Sequence, residues 1–474
     1  MKAANYQIDM CHGALLPKII LFALPLIFTS MMQLLFNALD LVVIGHYSTH
    51  QAMAAIGSTA NLIALLINTF SGLAIGTNVL AARYFGAKDE SNLQRTVHTS
   101  IAASLYCGVL VTIFGMLAAE PILRLMDTPD DVLPLSCRYV RIFFCSVPAV
   151  LLFNFGSAVM RSAGDTRRPM YYLLIAGAIK VMMNICFVVG FGWDIGGVAA
   201  ATAISHGLAA FLVLRALLKA DDACRFRWSK MKIDRKNFLD MLRIGIPAGL
   251  QSSLFALSNM LIQSSINSFG SLAIAGATAT INLESLIVTS GSAFHQATIS
   301  FVSQNLGADK LKRVIRSIAD CMGCALVVTA ALGFLCYLFG EALLGLFTND
   351  PEVIYWGMER GKILFLTYFL CGFMDISTGG LRGLGYSLSA TIIALFGMCV
   401  LRVIWVLTIF PHYRTMPNLM TTYPISWFVS GTLGYLLLWY ILRKMVREKV
   451  RRHVEWSPMG MGVQRGYGII GNSR

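Results

Sequence analysis

The sequence predicts an all-α integral membrane protein with twelve transmembrane helices in two six-helix lobes. Three observations support this fold class: the composition, an internal repeat, and the number of long apolar segments. Hydrophobic residues make up 56% of the 474 residues and charged residues only 13%, which is far more apolar than an average soluble domain. A chain of this composition needs the lipid bilayer as its surroundings.

The chain repeats one module at an offset of 222 residues. Residues 25–37 read PLIFTSMMQLLFN and residues 247–259 read PAGLQSSLFALSN, with proline and asparagine at matching places. MRSAG at 160–164 matches LRGLG at 381–385 at the nearly equal offset of 221. Duplication on this scale is common in transporters. Because each half has an even number of helices, we expect a pseudo-two-fold axis along the membrane normal and a cavity between the lobes.

Twelve apolar segments are long enough to cross a bilayer, which takes about 20 helical residues. Those of the first half lie near 16–44, 54–82, 97–119, 134–160, 169–191 and 196–218. Those of the second half lie near 245–269, 275–304, 316–339, 356–381, 388–411 and 423–442. The predicted domains are an N-terminal lobe (1–218), a charged linker (219–243), a C-terminal lobe (244–445) and a basic, then glycine-rich and disordered tail (446–474).

Lysine and arginine are distributed unequally between alternate loops. The loops on the side of the N-terminus hold 30 of these residues, and the opposite loops at 124–141, 360–362 and 414 hold 6. The positive-inside rule therefore predicts a multi-pass protein of the cell membrane with both termini in the cytoplasm. The net charge of +14 is explained by this topology. No nucleic-acid partner is expected, because aromatic residues do not alternate with the basic ones.

Several motifs in this order resemble the multidrug and toxic compound extrusion (MATE) transporters. They are LPLIF…LLFNALDLVVIGHYS (24–48), ARYFGAKD (82–89), VMRSAGDTRRPM (159–170), INLESLIVTSGSAFHQATISFVSQNLGA (281–308) and GGLRGLGYS (379–387). The resemblance covers nearly all of residues 12–445. It implies an efflux antiporter of two lobes arranged as a V, which exports organic substrates in exchange for protons or sodium ions.

One acidic group lies within the first predicted span, where a charge is costly and usually functional. Asp40 is predicted to bind the coupling cation or proton in the outer third of this span; the alternative is a helix cap. By the resemblance, Asn184 matches the family's asparagine on the fifth helix, but Val188 stands where members with a defined ion site often carry aspartate. Lys180 shares a face with Asn184. We hypothesise that it pairs with Asp40, with its ammonium where a coupling cation would bind.

The second half carries its own polar groups within predicted spans. Glu284 and Arg402 lie at matching depths, so a structural pair between them is favoured over a direct role in substrate binding. Asp375 is either a second cation-binding carboxylate or a gate residue near Arg382. His295 is interpreted as hydrogen-bonded packing more readily than as a proton relay.

Two prolines occupy matching places in the first helix of each half. Pro25 and Pro247 each remove an intrahelical hydrogen bond. They are either ordinary kinks or paired hinges for the movement of the lobes, since interrupted helices at matching positions point to the transport site.

The leading hypothesis is a secondary active antiporter that exports small, cationic organic compounds by alternating access. A flippase for a lipid-linked precursor is the nearest alternative, but it should carry more basic groups in its cavity. The motifs GxxxxGK[ST], HExxH and GxSxG do not occur, which argues against an ATP-driven pump and against an enzyme. We expect small-molecule substrates, lipid contact, a monomer, and no metal or cofactor besides the coupling ion.

Overall fold

The computed structural model describes residues 6–47, 50–126 and 128–455, and nearly all of them are helical. The helices of the first half are α1 Leu15–Tyr47, α2 His50–Gly86, α3 Glu90–Leu125, α4 Leu133–Ser162, α5 Arg167–Asn184 and α6 Asp194–Leu218. The main helices of the second half are α7 Arg235–Asn267, α8 Ser271–Gly307, α9 Leu311–Leu338, α10 Pro351–Gly383, α11 Ser387–Leu395 and α12 Met416–Glu455, and one short helical turn, Gly340–Gly345, follows α9.

The fifth helix of each half contains a π-helical segment. Helix α5 continues as a π-helix over Ile185–Gly190, and α11 continues through a π-helix over Phe396–Val400 into α-helix again over Leu401–Thr408. With these continuations, every one of the twelve predicted segments lies in helix. The shared π-helix is local evidence that the two halves are copies of one module.

Ten of the helices in the described part of the chain are long and apolar enough to cross a membrane. Helix α7 is of similar length but carries more polar residues, and it lies beside α2 of the first half. They pack on each other across the two halves, where Thr69 and Ser253 share a hydrogen bond of 2.9 Å between their hydroxyl oxygens. Because one face of each contacts protein rather than lipid, these helices can carry polar side chains within a membrane.

Two predicted boundaries differ from the structure. Helix α7 begins at Arg235, inside the predicted linker, because the side chain of Asp234 accepts a hydrogen bond from the amide of Asn237 and caps the helix. Helix α12 continues to Glu455, so residues 446–455 of the predicted disordered tail are helical. The rest of that tail, 456–474, lies outside the described residues.

Pairs of residues related by the sequence repeat contact each other between the halves. Asn78 and Ser300, which are 222 residues apart, share a hydrogen bond of 3.0 Å from Asn78 Nδ2 to Ser300 Oγ. Gly86 packs on the backbone carbonyl of Gln304, and Gly307 packs on that of Arg83. Such reciprocal contacts are expected where a two-fold axis passes between two copies. They place the pseudo-two-fold axis between α2 and α8.

The segment that precedes α1 closes the end of the molecule at which Gly86 and Gly307 pack between the halves. Its backbone amide at Ile8 donates to the Gly164 carbonyl of the first half, at 3.2 Å. On the other side, the Met10 carbonyl accepts hydrogen bonds from Asn305 and Arg313 of the second half. Met10 itself is fully buried. The two halves are therefore joined at this end, which the charge distribution predicts to be cytoplasmic.

Substituting Gly86 with alanine should open this closed end. The added Cβ would overlap the Gln304 carbonyl oxygen, which is backbone and cannot turn aside. Burial raises the pKa of the nearby Cys11 thiol, so its reaction with maleimide should be slow in the wild type. We expect several-fold faster maleimide labelling of Cys11 in Gly86→Ala, measured by peptide mass spectrometry. Gly323→Ala, whose Cβ meets open space, is the control, and equal rates in both variants would contradict the expectation.

Candidate functional site

The first half holds a compact polar cluster built from α1 and α5. Lys180 Nζ donates to Asp40 Oδ2 at 2.5 Å, and Asn184 Nδ2 donates to Asp40 Oδ1 at 2.6 Å. Lys180 and Asn184 reach the same carboxylate because a spacing of four residues puts them on one helix face. The pair between Lys180 and Asp40 that the sequence suggested is therefore present.

The cluster is buried but not sealed. The side chains of Lys180 and Asp40 are 10% and 13% exposed, and Asn184 is 1% exposed. Asn184 Oδ1 has no hydrogen-bond partner among the described residues. Asn184 is also the last α-helical residue before the π-helix of α5, a feature that is frequent at functional sites.

Two further side chains near this cluster were not predicted from the sequence. Tyr139 of α4 interacts electrostatically with Asp40, and His206 of α6 interacts electrostatically with Lys180. Tyr139 is buried, and His206 is half-buried with its ring 6.5 Å from that of Phe143. Lone aromatic and histidine residues of apolar helices give no sequence signal that separates them from ordinary core positions.

Lys180 and Asp40 form a buried ion pair, which protonation of the Asp40 carboxylate would break. A buried ion pair is finely balanced, because the attraction between the charges must offset the loss of their hydration. Protonation of Asp40 removes its charge and leaves the Lys180 ammonium without its counter-ion.

In the second half, Glu284 pairs with Arg360 rather than with Arg402. Arg360 Nε and Nη2 donate to the two carboxylate oxygens at 2.7 and 2.9 Å, and Tyr368 donates to Oε2 at 2.9 Å. All three residues are at most 5% exposed. The predicted pair was wrong because Arg360 was counted among the residues of a loop. It lies inside α10, which packs along α8.

Arg402 instead lies in a cage of neutral groups between α7, α11 and α12. It donates to Ser426 Oγ and to Asn259 Oδ1, both at 3.1 Å, and its guanidinium lies 4.1 Å from the ring centre of Tyr423. Stacking on an aromatic face stabilises a desolvated cation. Arg402 is 2% exposed, and its Nη2 has no hydrogen-bond partner among the described residues.

Arg402 is the counterpart of Lys180 in the repeat, since the two are 222 residues apart. Asn259 is likewise the counterpart of Asn37, at the same offset. In both halves a cation from the fifth helix therefore binds a polar residue of the first helix. In the first half that residue is the carboxylate of Asp40, one helical turn after Asn37. In the second half it is the neutral amide of Asn259. This equivalence could have been found from the sequence by comparing charged positions at the repeat offset.

His295 joins three helices of the second half through a third cluster. Its Nδ1 is 2.6 Å from the Asp375 carbonyl oxygen, and its Nε2 is 3.3 Å from Arg382 Nη1. Arg382 Nη2 also donates to Gln251 of α7 at 2.7 Å. Since a carbonyl only accepts and a guanidinium only donates, these contacts fit a neutral imidazole with its hydrogen on Nδ1. The side chain of Asp375 lies within range of the charge of Arg382.

Each of the two prolines lies within a continuous helix. Pro25 is buried in α1, and Pro247 lies in α7 between Gly245 and Gly249, which both pack on the backbone of α2. Their role as hinges stays a prediction.

In the part of the chain that the structure describes, no hydrogen bond links the Asp40 cluster to the clusters of the second half. No group of three or more acidic, histidine or cysteine residues in that part could hold a metal ion.

The MatE family model matches residues 25–186 and again residues 247–408. The two matches are offset by 222 residues and cover more than half of the chain. The chain belongs to the MATE family. The prediction of two six-helix lobes is thereby confirmed, and the chain is a multi-pass MATE-family multidrug efflux transporter. Members of this family are transporters rather than enzymes and need no cofactor.

Known proteins of this family match the chain along most of its length. It is 29% identical over 439 residues to the probable multidrug resistance protein YoeA of Bacillus subtilis, covering 90% of this chain and 93% of that protein. It is 23% identical to the multidrug export protein MepA of Staphylococcus saprophyticus, over 81% of this chain and 86% of that one.

The fold is also that of solved MATE structures. The structure described as the outward-facing conformation of a multidrug resistance MATE family transporter superposes with a TM-score of 0.86. Sequence identity is 20%, and the alignment covers 92% of this chain and 98% of that one. At this identity the similarity establishes the fold alone.

Proposed function

We propose that this MATE transporter is a secondary active antiporter that exports small, cationic organic compounds in exchange for protons. The observation that carries the proposal is the Asp40–Lys180–Asn184 cluster in the first lobe. Its carboxylate is the group that exchanges a proton, and alternating access moves it between the two sides of the membrane. Coupling requires that proton and substrate favour different conformations.

The position of Lys180 favours protons over sodium as the coupling ion. A hard metal cation such as sodium needs several oxygen ligands. At Asp40, one carboxylate oxygen is bound by the Lys180 ammonium and the other by the amide nitrogen of Asn184. At the position where family members often place a second carboxylate, this chain has Val188. A sodium ion would have to displace a covalently tethered cation, whereas a proton only has to neutralise Asp40.

We also propose an orientation for the chain. The closed end carries the N-terminal segment and the basic loops, so it is assigned to the cytoplasm of the cell, with the N- and C-termini on that side. In this orientation the described conformation is closed toward the cytoplasm. The monomer expected from the sequence stays a prediction.

Substituting Lys180 with methionine should change the ion that drives transport. In proteoliposomes with an imposed gradient, we expect wild-type protein to accumulate a fluorescent organic cation in response to a pH gradient and hardly at all in response to a sodium gradient. Lys180→Met removes the tethered cation, so the pH response should fall about tenfold or more, and a sodium response should appear. Lys444→Met removes an exposed lysine of α12 and is the control. Unchanged ion dependence in Lys180→Met would show that this lysine plays no part in coupling.

A further inference from the structure

A surface groove of about 560 Å³ lies at the closed end, between the start of α9 and the end of α12. Three aliphatic side chains form part of its wall: Ile315, Val446 and Val450 are 41%, 40% and 53% exposed. Exposed aliphatic residues on neighbouring helices usually mark a contact with another apolar group. The groove also carries basic residues on both sides, from Lys312 and Arg316 of α9 and from Lys449 of α12.

The groove lies at the depth of lipid headgroups. The predicted ninth span starts at residue 316, and the predicted twelfth span ends at residue 442. The lining residues at 309–316 and 446–450 therefore lie at the edge of the hydrocarbon region, on the side proposed to be cytoplasmic. An occupant of the groove must combine a negative charge with an apolar chain in order to match both parts of its lining.

The acidic residues at the groove do not cancel its charge. Lys449 Nζ contacts Asp309 Oδ2 at 2.6 Å, but the Asp309 side chain is 82% exposed. Arg316 lies 3.7 Å from Asp320 and is 75% exposed. Exposed pairs of this kind contribute little stability and are readily exchanged for a better partner. The groove thus keeps a positive potential that attracts an anionic group.

We propose that this groove binds an anionic phospholipid, with the phosphate between Lys312, Arg316 and Lys449 and an acyl chain on Ile315 and the two valines. Basic pockets between transmembrane helices bind anionic headgroups on the cytoplasmic side of membranes. The chain's own tail is a poor occupant, because residues 456–474 contain two arginines and no aspartate or glutamate. A bound lipid would join the first turn of α9 to α12 next to the closed end.

The proposal is tested by counting retained lipids on the purified full-length protein by native mass spectrometry. Wild-type protein should retain at least about tenfold more phosphatidylglycerol than phosphatidylcholine, since each basic residue near an anionic surface adds to the attraction. The triple variant Lys312→Gln/Arg316→Gln/Lys449→Gln should lose this preference. Lys230→Gln/Arg235→Gln/Lys236→Gln removes three exposed charges from the linker region and should keep it.

Three results would overturn the proposal. They are equal retention of both lipids by the wild type, an unchanged preference in the groove variant, and an equal loss in the linker variant. Glycerol 3-phosphate is the third probe, because it carries the headgroup phosphate without an acyl chain. If it displaced phosphatidylglycerol at similar concentration, the groove would be a phosphate site and the apolar wall would have no role. Pump activity of each variant in the gradient assay shows that it is folded.

Discussion

Replacing Asp40 with asparagine should lower proton-driven accumulation of an organic cation by about 100-fold, which is near the upper end of typical coupling free energies between two sites. The asparagine cannot take up and release a proton, and it leaves the Lys180 ammonium without the carboxylate that holds it at 2.5 Å. The measurement is fluorescent-cation uptake into proteoliposomes under an imposed pH gradient, compared with wild type at equal protein content.

An unpaired buried lysine could also reduce the amount of folded protein, so a second variant is needed. Asp40→Asn/Lys180→Met removes both charges, should fold as well as wild type, and should still be uncoupled. Asp131→Asn changes an exposed aspartate in the α3–α4 connection and should transport normally. Retained coupling in Asp40→Asn would move the coupling site to the second lobe, and Asp375→Asn and Glu284→Gln would then decide between its two carboxylates.

Replacing Glu284 with glutamine should destabilise the protein more than any other single change considered. The carboxylate accepts two hydrogen bonds from Arg360 and one from Tyr368, and all three residues are buried. Removing one partner of a buried pair leaves the other charge uncompensated, which costs about 3–5 kcal/mol. We expect a clearly lower thermal midpoint in detergent and less protein in the membrane fraction.

The same amino-acid change on the surface provides the control for Glu284. Glu120 pairs with Arg124 at 3.0 Å, but both side chains are about half exposed, so Glu120→Gln should change stability by less than about 1 kcal/mol. The double variant Glu284→Met/Arg360→Met removes both buried charges and should recover most of the lost stability. If Glu284→Gln melted like wild type, the pair would not be structural, and its carboxylate would be free for a role in transport.

The sequence was sufficient to predict the fold, because membrane helices are recognised by their apolar composition and length, and the repeat is recognised by its constant spacing. Apolar segments of bilayer length predicted every long helix in the described part of the chain, and the 222-residue offset predicted the two lobes. The boundaries that failed, at Arg235 and beyond residue 446, lie outside the spans, where local interactions such as the cap that Asp234 forms decide where a helix begins or ends. Those local interactions are too weak to show in a hydropathy pattern.

The polar clusters were predicted with less success, and the reason is geometric. Asp40, Lys180 and Asn184 were grouped correctly because two of them lie one turn apart on one helix and all three share a depth. Matching depth failed for Glu284 and Arg402, because depth does not say which helices are neighbours. Arg360 is the actual partner of Glu284, since α8 and α10 pack side by side.

The sequence by itself determined the membrane class, the twelve long helices and their duplication, and it identified several of the buried charges but not Arg360. Only the tertiary structure decided which charges meet. The packing of the helices determines which neighbour each side chain faces, and the spacing of residues in the sequence does not. The tertiary structure also showed that the repeat preserves a buried cation on the fifth helix of each half, Lys180 and Arg402, but gives only the first a carboxylate partner. The repeated backbone thus holds two similar sites that differ in one acidic side chain: a carboxylate binds the cation of the first lobe, and neutral groups bind the cation of the second.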